Sequence, residues 1–73
     1  MAAYFNNDLL IDAQGQVRRK YVRASARRRA QSQYGADCTD LDIAFWEHKL
    51  FSLAMQKQEL WRRDQVLKHA RAA

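Results

Sequence analysis

Cysteine and histidine, the side chains best suited to metal binding and nucleophilic catalysis, are few and widely spaced in this chain. Cys38 is the single cysteine, and the two histidines are His48 and His69. Zinc sites need three or four ligands, usually in close pairs, so this spacing predicts no metal site. A catalytic pair of Cys38 and His48 is also disfavoured. Cys38 directly precedes Thr39, the start of a predicted helix, and on that helix about nine residues, or roughly 13 Å, separate Thr39 from His48.

Carboxylates give no better case for catalysis. Asp37, Asp40 and Asp42 are close together, but they precede or open a predicted helix, where negative charge has a structural reason to be. The chain contains neither a phosphate-binding loop nor a dinucleotide-binding fingerprint. A protein of 73 residues is also too small to enclose a substrate cleft easily. We therefore predict that the protein is not an enzyme and uses neither a cofactor nor a small-molecule substrate.

Positive charge is concentrated in one short segment, residues 18–29. Residues 1–36 carry seven basic and two acidic side chains, whereas residues 37–73 carry six of each, so the whole net charge of +5 comes from this segment. Many charged segments are simply solvated surfaces. Here arginine outnumbers lysine six to one, and arginine makes bidentate bonds to carboxylates and phosphates that solubility alone does not require. The segment predicts an anionic partner: nucleic acid or an acidic protein surface.

Aromatic residues extend this candidate binding surface. Tryptophan, tyrosine and arginine dominate the binding energy of protein interfaces, which favours a protein partner and leaves direct contact with nucleic acid open. The predicted partner-binding residues are the basic segment and three aromatic side chains: Arg18, Arg19, Lys20, Tyr21, Arg23, Arg27, Arg28, Arg29, Phe51 and Trp61. Changing Arg27, Arg28 and Arg29 together to glutamine is expected to leave a folded but inactive molecule.

The stretch from Thr39 to Leu67 predicts one long amphipathic helix. Thr39 and Asp42 have the spacing of a capping box. Apolar residues then recur every three or four positions on one seam, which comprises Ile43, Trp46, Leu50, Leu53, Leu60 and Leu67. Lys57 and Asp64 occupy two positions in the second half of this seam, so we expect the helix beyond Trp61 to be more solvated.

The N-terminal half permits two interpretations. Short apolar runs on either side of the turn-forming residues 12–15 favour a β-hairpin over residues 9–12 and 17–22, followed by a short helix from Ala26 to Tyr34 capped by Ser25. The alternative is one helix from Gln16 to Tyr34, disfavoured because arginines four residues apart would repel one another. In both interpretations Gly35 ends the helix. The prediction is a mainly α, small α+β fold: hairpin, short basic helix and long amphipathic helix.

Chain length predicts a single domain, residues 1–73, with an N-terminal arm over residues 1–8 and a frayed end over residues 68–73. One cysteine cannot form an intramolecular disulfide, which favours a reducing, cytoplasmic setting. No apolar run approaches the roughly 18 residues of a membrane span, and the N-terminus lacks the layout of a signal peptide. We therefore predict no membrane association.

A short, basic, cysteine-poor chain without a catalytic set resembles the small phage-encoded regulators of bacterial RNA polymerase. The resemblance is one of length and charge. It implies binding to the β and β′ subunits of the polymerase in the host cytoplasm, inhibition of initiation by displacing σ, and antitermination. It supplies no motif from which residue roles can be transferred.

Three functional hypotheses therefore follow. The first is a non-enzymatic transcription regulator that docks on bacterial RNA polymerase. The second is a sequence-tolerant DNA- or RNA-binding protein that uses residues 18–29. The third is a small phage structural or assembly protein that oligomerises through its long helix.

Overall fold

A computed structural model describes residues 7–72 of the chain. It contains a 3₁₀ turn at Asn7–Leu10 and two α-helices, α1 (Arg19–Tyr34) and α2 (Asp40–Ala72). The two helices pack against each other as an antiparallel hairpin, and the segment before α1 packs on both. The molecule is elongated, with principal extents of 54 × 26 × 15 Å.

The predicted β-hairpin is wrong. Within residues 7–72 the backbone forms no strand; a single antiparallel bridge joins Ile11 to Val17 across the predicted turn. In that turn Asp12 accepts backbone hydrogen bonds from Gln14 and Gln16, both at 2.9 Å, through its carboxylate. The turn therefore forms where its residues predict it, but the second strand does not, because the chain enters α1 at Arg19. The fold is mainly α, without the predicted β component.

The predicted short helix from Ala26 is also wrong, since α1 begins seven residues earlier and buries Ser25 within it. Repulsion between like charges four residues apart costs only about 0.2–0.5 kcal/mol per pair. Burying one valine is worth roughly 1.5–3 kcal/mol, and Val22 is completely buried against α2. Packing therefore outweighs the charge repulsion. Gly35 ends α1 as predicted, with a φ of +91° and its N–H donated to the Gln31 carbonyl at 2.8 Å.

The core lies where the 3₁₀ turn meets both helices. Its buried members are one leucine from the turn, a valine and an alanine from α1, and a leucine and an alanine from α2: Leu10, Val22, Ala26, Leu50 and Ala54. Alanine at the α1–α2 contact lets the two backbones approach closely. Half-buried apolar side chains such as Trp46 and Leu53 surround this core.

Helix α2 begins with the predicted capping box. The backbone N–H of Thr39 donates to the Asp42 carboxylate at 2.9 Å, and the Asp42 N–H donates back to Thr39 Oγ1 at 3.3 Å. These bonds satisfy helix-end donors that would otherwise lack partners. The helix then runs 33 residues to Ala72. Beyond Trp61 its described side chains are exposed, apart from the half-buried Gln65, so the C-terminal end of α2 projects from the hairpin.

Polar contacts hold the N-terminal segment on α2. Lys57 Nζ pairs with the Asp8 carboxylate at 3.1 Å, and the Gln58 side chain donates to the Gly15 carbonyl at 2.9 Å. The Trp61 ring lies directly over Gly15, so closely that a Cβ at this position would overlap the ring. The predicted N-terminal arm falls largely outside the described residues, but Asp8, at its end, is part of this attachment.

Candidate functional site

Five basic side chains form an exposed surface on α1, which we call the basic face: Arg19, Lys20, Arg23, Arg27 and Arg28. All five are exposed. At about 100° per residue, four of them lie roughly 80–140° around α1 from the centre of its buried residues, whereas Arg19, three residues before the buried Val22, lies close to the buried side. The helix contains no acidic residue. Tertiary packing has therefore left one surface of the hairpin with a single sign of charge.

The basic face is not neutralised by the rest of the described chain. Ion pairs within residues 7–72 join Lys57 to Asp8, Arg63 to Glu59 and Lys68 to Asp64. None of these pairs involves a side chain of the basic face. Its charges are consequently available to an external anion.

The start of α1 adds to this positive field. Arg18 is the N-cap residue, makes no side-chain capping bond, and is followed by two further cations, Arg19 and Lys20, in the first turn. A helix N-terminus carries a partial positive charge and normally attracts acidic residues. Placing cations there is unfavourable for the isolated helix, whereas a bound anion would interact favourably with both the side chains and the helix end.

Arg29 has a different environment from its neighbours on α1. It is half-buried, its guanidinium donates to the Asn7 side-chain oxygen, and it lies 5.7 Å from the centre of the Trp46 ring. Trp46 in turn donates through Nε1 to Gln33 at 3.1 Å. Arg29 thus joins the N-terminal segment, α1 and α2 internally, and it lies apart from the basic face.

Two other predicted binding residues lie at the edge of the basic face. Arg18 donates to the Leu9 carbonyl at 3.1 Å and sits 4.8 Å from the centre of the Tyr21 ring. Tyr21 is half-buried and packs against the core. Arg18 keeps an exposed side chain, so it can contribute charge at this end of the helix.

The predicted aromatic anchors are engaged within the fold. Phe51 is half-buried and packs on the core, and the half-buried Trp61 covers Gly15. The structure therefore does not bring Phe51 and Trp61 together with the exposed arginines as one binding surface. Their hydrophobic area stabilises the hairpin, and a protein interface built on these aromatic residues loses its main support.

A groove of about 440 Å³ lies beside the basic face, between α1 and α2. Three of its lining residues are arginines and one is an acid; the full lining is Arg23, Ala24, Arg27, Arg28, Ile43 and Glu47. Glu47 is half-buried and belongs to none of the ion pairs described above. The groove therefore remains predominantly cationic.

Comparison with known proteins adds no identification. No protein-family model, curated protein or solved structure matches the chain. Function must therefore be inferred from the described geometry.

Within residues 7–72 the structure offers neither a metal-binding cluster nor a membrane-crossing helix. In that part of the chain no three His, Cys, Asp or Glu side chains are grouped so that they could hold a metal ion. Neither of its helices is both long and apolar enough to cross a membrane. The basic face, with its exposed positive charges, is therefore the candidate binding surface in this part of the chain.

Proposed function

We propose that this chain is a non-enzymatic, sequence-tolerant nucleic-acid-binding protein that contacts phosphates through the basic face of α1. The observation that supports the proposal is the exposure of five cations on a helix without an acidic residue. Arginine and lysine that neutralise phosphates release condensed counterions, which is the main source of affinity in sequence-independent binding.

The dimensions of the basic face suit a nucleic-acid backbone. Arg19 and Arg28 are separated by nine residues, or about 14 Å along a helix. Duplex DNA carries one charge per about 1.7 Å of its axis, so a stretch of this length presents more phosphates than the face has cations. Nine residues also place Arg19 about 180° around α1 from Arg28. A straight duplex can therefore neutralise four of the five cations at once, all but Arg19.

Sequence tolerance follows from the kind of contact. Phosphate contacts fix position and orientation but carry no sequence information. Reading base edges requires a recognition element placed in a groove with side chains directed at the bases, and no signature of such an element is present in the sequence. We therefore expect similar affinities for unrelated sequences of equal length.

The test measures binding to fluorescently labelled duplexes and single strands of unrelated sequence by anisotropy, over a series of salt concentrations. Four phosphate contacts predict a slope of about −3.6 for log K against log salt on duplex DNA. Changing Arg23, Arg27 and Arg28 together to glutamine should reduce the slope to about −0.9, because one contact, from Lys20, remains.

A matched control removes the same charge from α2. Arg63, Lys68 and Arg71 are exposed, and changing these three to glutamine lowers the net charge equally. This variant should bind nearly as well as the unmodified chain. Equal weakening by both triple variants would show that net charge alone is responsible, and absence of measurable binding at low salt would refute the proposal.

A protein partner is the second candidate function. Leu60 and Leu67 are 62% and 56% exposed and lie one heptad apart on α2, Leu60 just before Trp61 and Leu67 on the projecting end. An apolar pair of this kind has no use in phosphate binding, but it could anchor a protein whose acidic surface meets the basic face. The resemblance to regulators of bacterial RNA polymerase makes its β and β′ subunits the partners to test.

The two candidates separate in affinity capture from a bacterial lysate, with and without nuclease treatment. Large polymerase subunits that remain bound after nuclease treatment, and are lost in a Leu60→Glu, Leu67→Glu variant, would support the second candidate. Capture that disappears with the nuclease would support direct nucleic-acid binding.

A further inference from the structure

A second periodic surface runs along α2 on the side away from α1. We call it the outer seam, and its members recur every three or four residues: Leu41, Phe45, His48, Ser52, Met55, Glu59, Arg62 and Val66. All eight are exposed. At about 100° per residue this seam lies roughly 150° around the helix from the buried Leu50 and Ala54. No other described element covers it.

Four of the eight residues of the outer seam are large, exposed apolar side chains. Leu41 is 81% exposed, Val66 67%, Met55 64% and Phe45 48%. Apolar side chains at a and d heptad spacing are typical of a helix that packs against another helix. Here α1 already packs on the opposite side, so a partner for the outer seam would have to come from outside the hairpin.

We propose that the partner is a second copy of this chain, with the two α2 helices antiparallel along their outer seams. The spacing between seam residues is the same whether it is counted from the N-terminal or the C-terminal end of the seam. Going forward from Leu41 the steps are four, three and four residues, to Ser52, and going backward from Val66 they are also four, three and four residues, to Met55. Two antiparallel copies therefore place each seam residue opposite another seam residue.

The side chains paired by this register are chemically complementary. Leu41 meets Val66 of the second copy, which buries two aliphatic groups at each end of the contact. Phe45 meets Arg62, a cation over an aromatic ring. Because the contact is isologous, each of these pairs occurs twice around one twofold axis.

The middle of the register is complementary as well. His48 meets Glu59, an imidazole that can donate a hydrogen bond to a carboxylate. Ser52 meets Met55 on either side of the twofold axis, so a small side chain faces a flexible, larger one. No seam residue faces a like charge.

A parallel pair would lose this complementarity. Each residue would then lie near its own counterpart, with Glu59 beside Glu59 and Arg62 beside Arg62, and like charges in such positions are destabilising. The distribution of charge along the seam therefore selects the antiparallel arrangement.

This dimer leaves the basic face free, because α1 lies on the opposite side of α2. The two basic faces would point away from each other on the two sides of the dimer. The dimer does not depend on nucleic-acid binding, and each inference can fail without the other.

The test is sedimentation equilibrium of the full chain and two charged variants, Leu41→Glu and Val66→Lys. Both positions are highly exposed, and an acid near the start and a base near the end of a helix suit its dipole. The fold should therefore be retained, which circular dichroism will check. At about 100 µM, enough for a Kd of about 10 µM to give mostly dimer, the unmodified chain should be dimeric and each variant monomeric.

Mixing the two variants makes the test specific for the register. An equimolar mixture should form a heterodimer, because the introduced carboxylate of one copy then faces the introduced ammonium of the other, while an unmodified leucine and valine meet at the opposite end. Leu60→Glu is the control, because Leu60 is exposed to a similar degree but lies off the seam; it should remain dimeric. A monomeric unmodified chain, loss of the dimer in the control, or no association in the mixture would each overturn the proposal.

Discussion

Arg28 and Arg29 are adjacent in the sequence and identical in type, yet they have different roles in the structure. Arg28 is exposed on the basic face, whereas Arg29 is half-buried between Asn7 and Trp46. Changing Arg27, Arg28 and Arg29 together would therefore combine a loss of surface charge with a loss of internal contacts. The two residues have to be tested separately.

Single substitutions of Arg28 and Arg29 should affect different properties: nucleic-acid binding for Arg28 and folding stability for Arg29. Arg29→Gln should lower the free energy of unfolding by about 1–3 kcal/mol, because a charged hydrogen bond and a ring contact are lost. Arg28→Gln should change stability by less than about 0.5 kcal/mol but reduce the salt slope of nucleic-acid binding by about 0.9. Urea denaturation and anisotropy measure the two effects, and equal effects of both changes would contradict the assignment.

Gly15 illustrates a second constraint at the scale of one residue. Its φ is +76°, and the Trp61 ring occupies the space that a Cβ would need. Gly15→Ala should destabilise the fold by about 2 kcal/mol or more, since backbone strain and overpacking each cost about 1–3 kcal/mol.

Gly35 provides the matched control for this substitution. Its φ is also positive, at +91°, but nothing lies within 4 Å of a Cβ there. Gly35→Ala should show the backbone cost alone and be the milder change in thermal denaturation. Trp61→Ala should partly suppress the additional effect of Gly15→Ala, and strict additivity of the two would show that the ring contact is unimportant.

At the scale of elements, α1 is a helix whose surface charge opposes its own stability. Three consecutive cations, at positions 18–20, occupy its N-cap and first turn without a capping side chain. The helix is held by burial of Val22, Ala26 and Ala30, each fully inaccessible to solvent. A sequence optimised for stability alone would place acids at this end.

Arg19→Glu should therefore raise stability and weaken binding at the same time. A carboxylate in the first turn interacts favourably with the helix dipole, by about 0.3–1 kcal/mol, where the cation opposed it. The same change replaces a positive charge beside the phosphate contacts with a negative one, so affinity for nucleic acid should fall. Thermal denaturation and anisotropy should move in opposite directions; a parallel decrease would show that Arg19 has a structural role.

The element boundaries show what local sequence rules can predict. The capping box at Thr39 and the glycine at the end of α1 depend on neighbouring residues only, and both are confirmed. The start of α1 escapes such rules because its buried face contains Ser25 and the half-buried Arg29, whose polarity hides the three- and four-residue spacing. A strand signal from Val17 to Val22 then outweighs a helix signal that depends on contacts with α2.

At the scale of the whole molecule, α2 extends beyond the region in which it packs against α1 and the N-terminal segment. Its C-terminal end extends past the contacts of Lys57, Gln58 and Trp61 with the N-terminal segment. Exposed side chains there add little to folding stability. The projecting end is therefore available for association, and it carries Arg62 and Val66 of the outer seam proposed for the dimer.

Ending the chain after Asp64 should leave the hairpin folded. Circular dichroism should show a loss of helical signal in proportion to the residues removed, and the midpoint of thermal denaturation should fall by only a few degrees. The shortened chain should be monomeric, because Val66 is missing, and should still bind nucleic acid. A shortened chain that unfolds would show that the projecting end contributes to the core.

The sequence by itself determined the long helix, its cap, the turn at Gly15, the end of α1 and the concentration of cations in one segment. These features depend on neighbouring residues or on composition. Only the tertiary structure decided which cations remain exposed, because burial depends on where α2 and the N-terminal segment pack. It likewise showed that Phe51 and Trp61 pack within the fold and do not serve as exposed anchors. Whether a hydrophobic side chain is buried depends on which elements the fold brings against it.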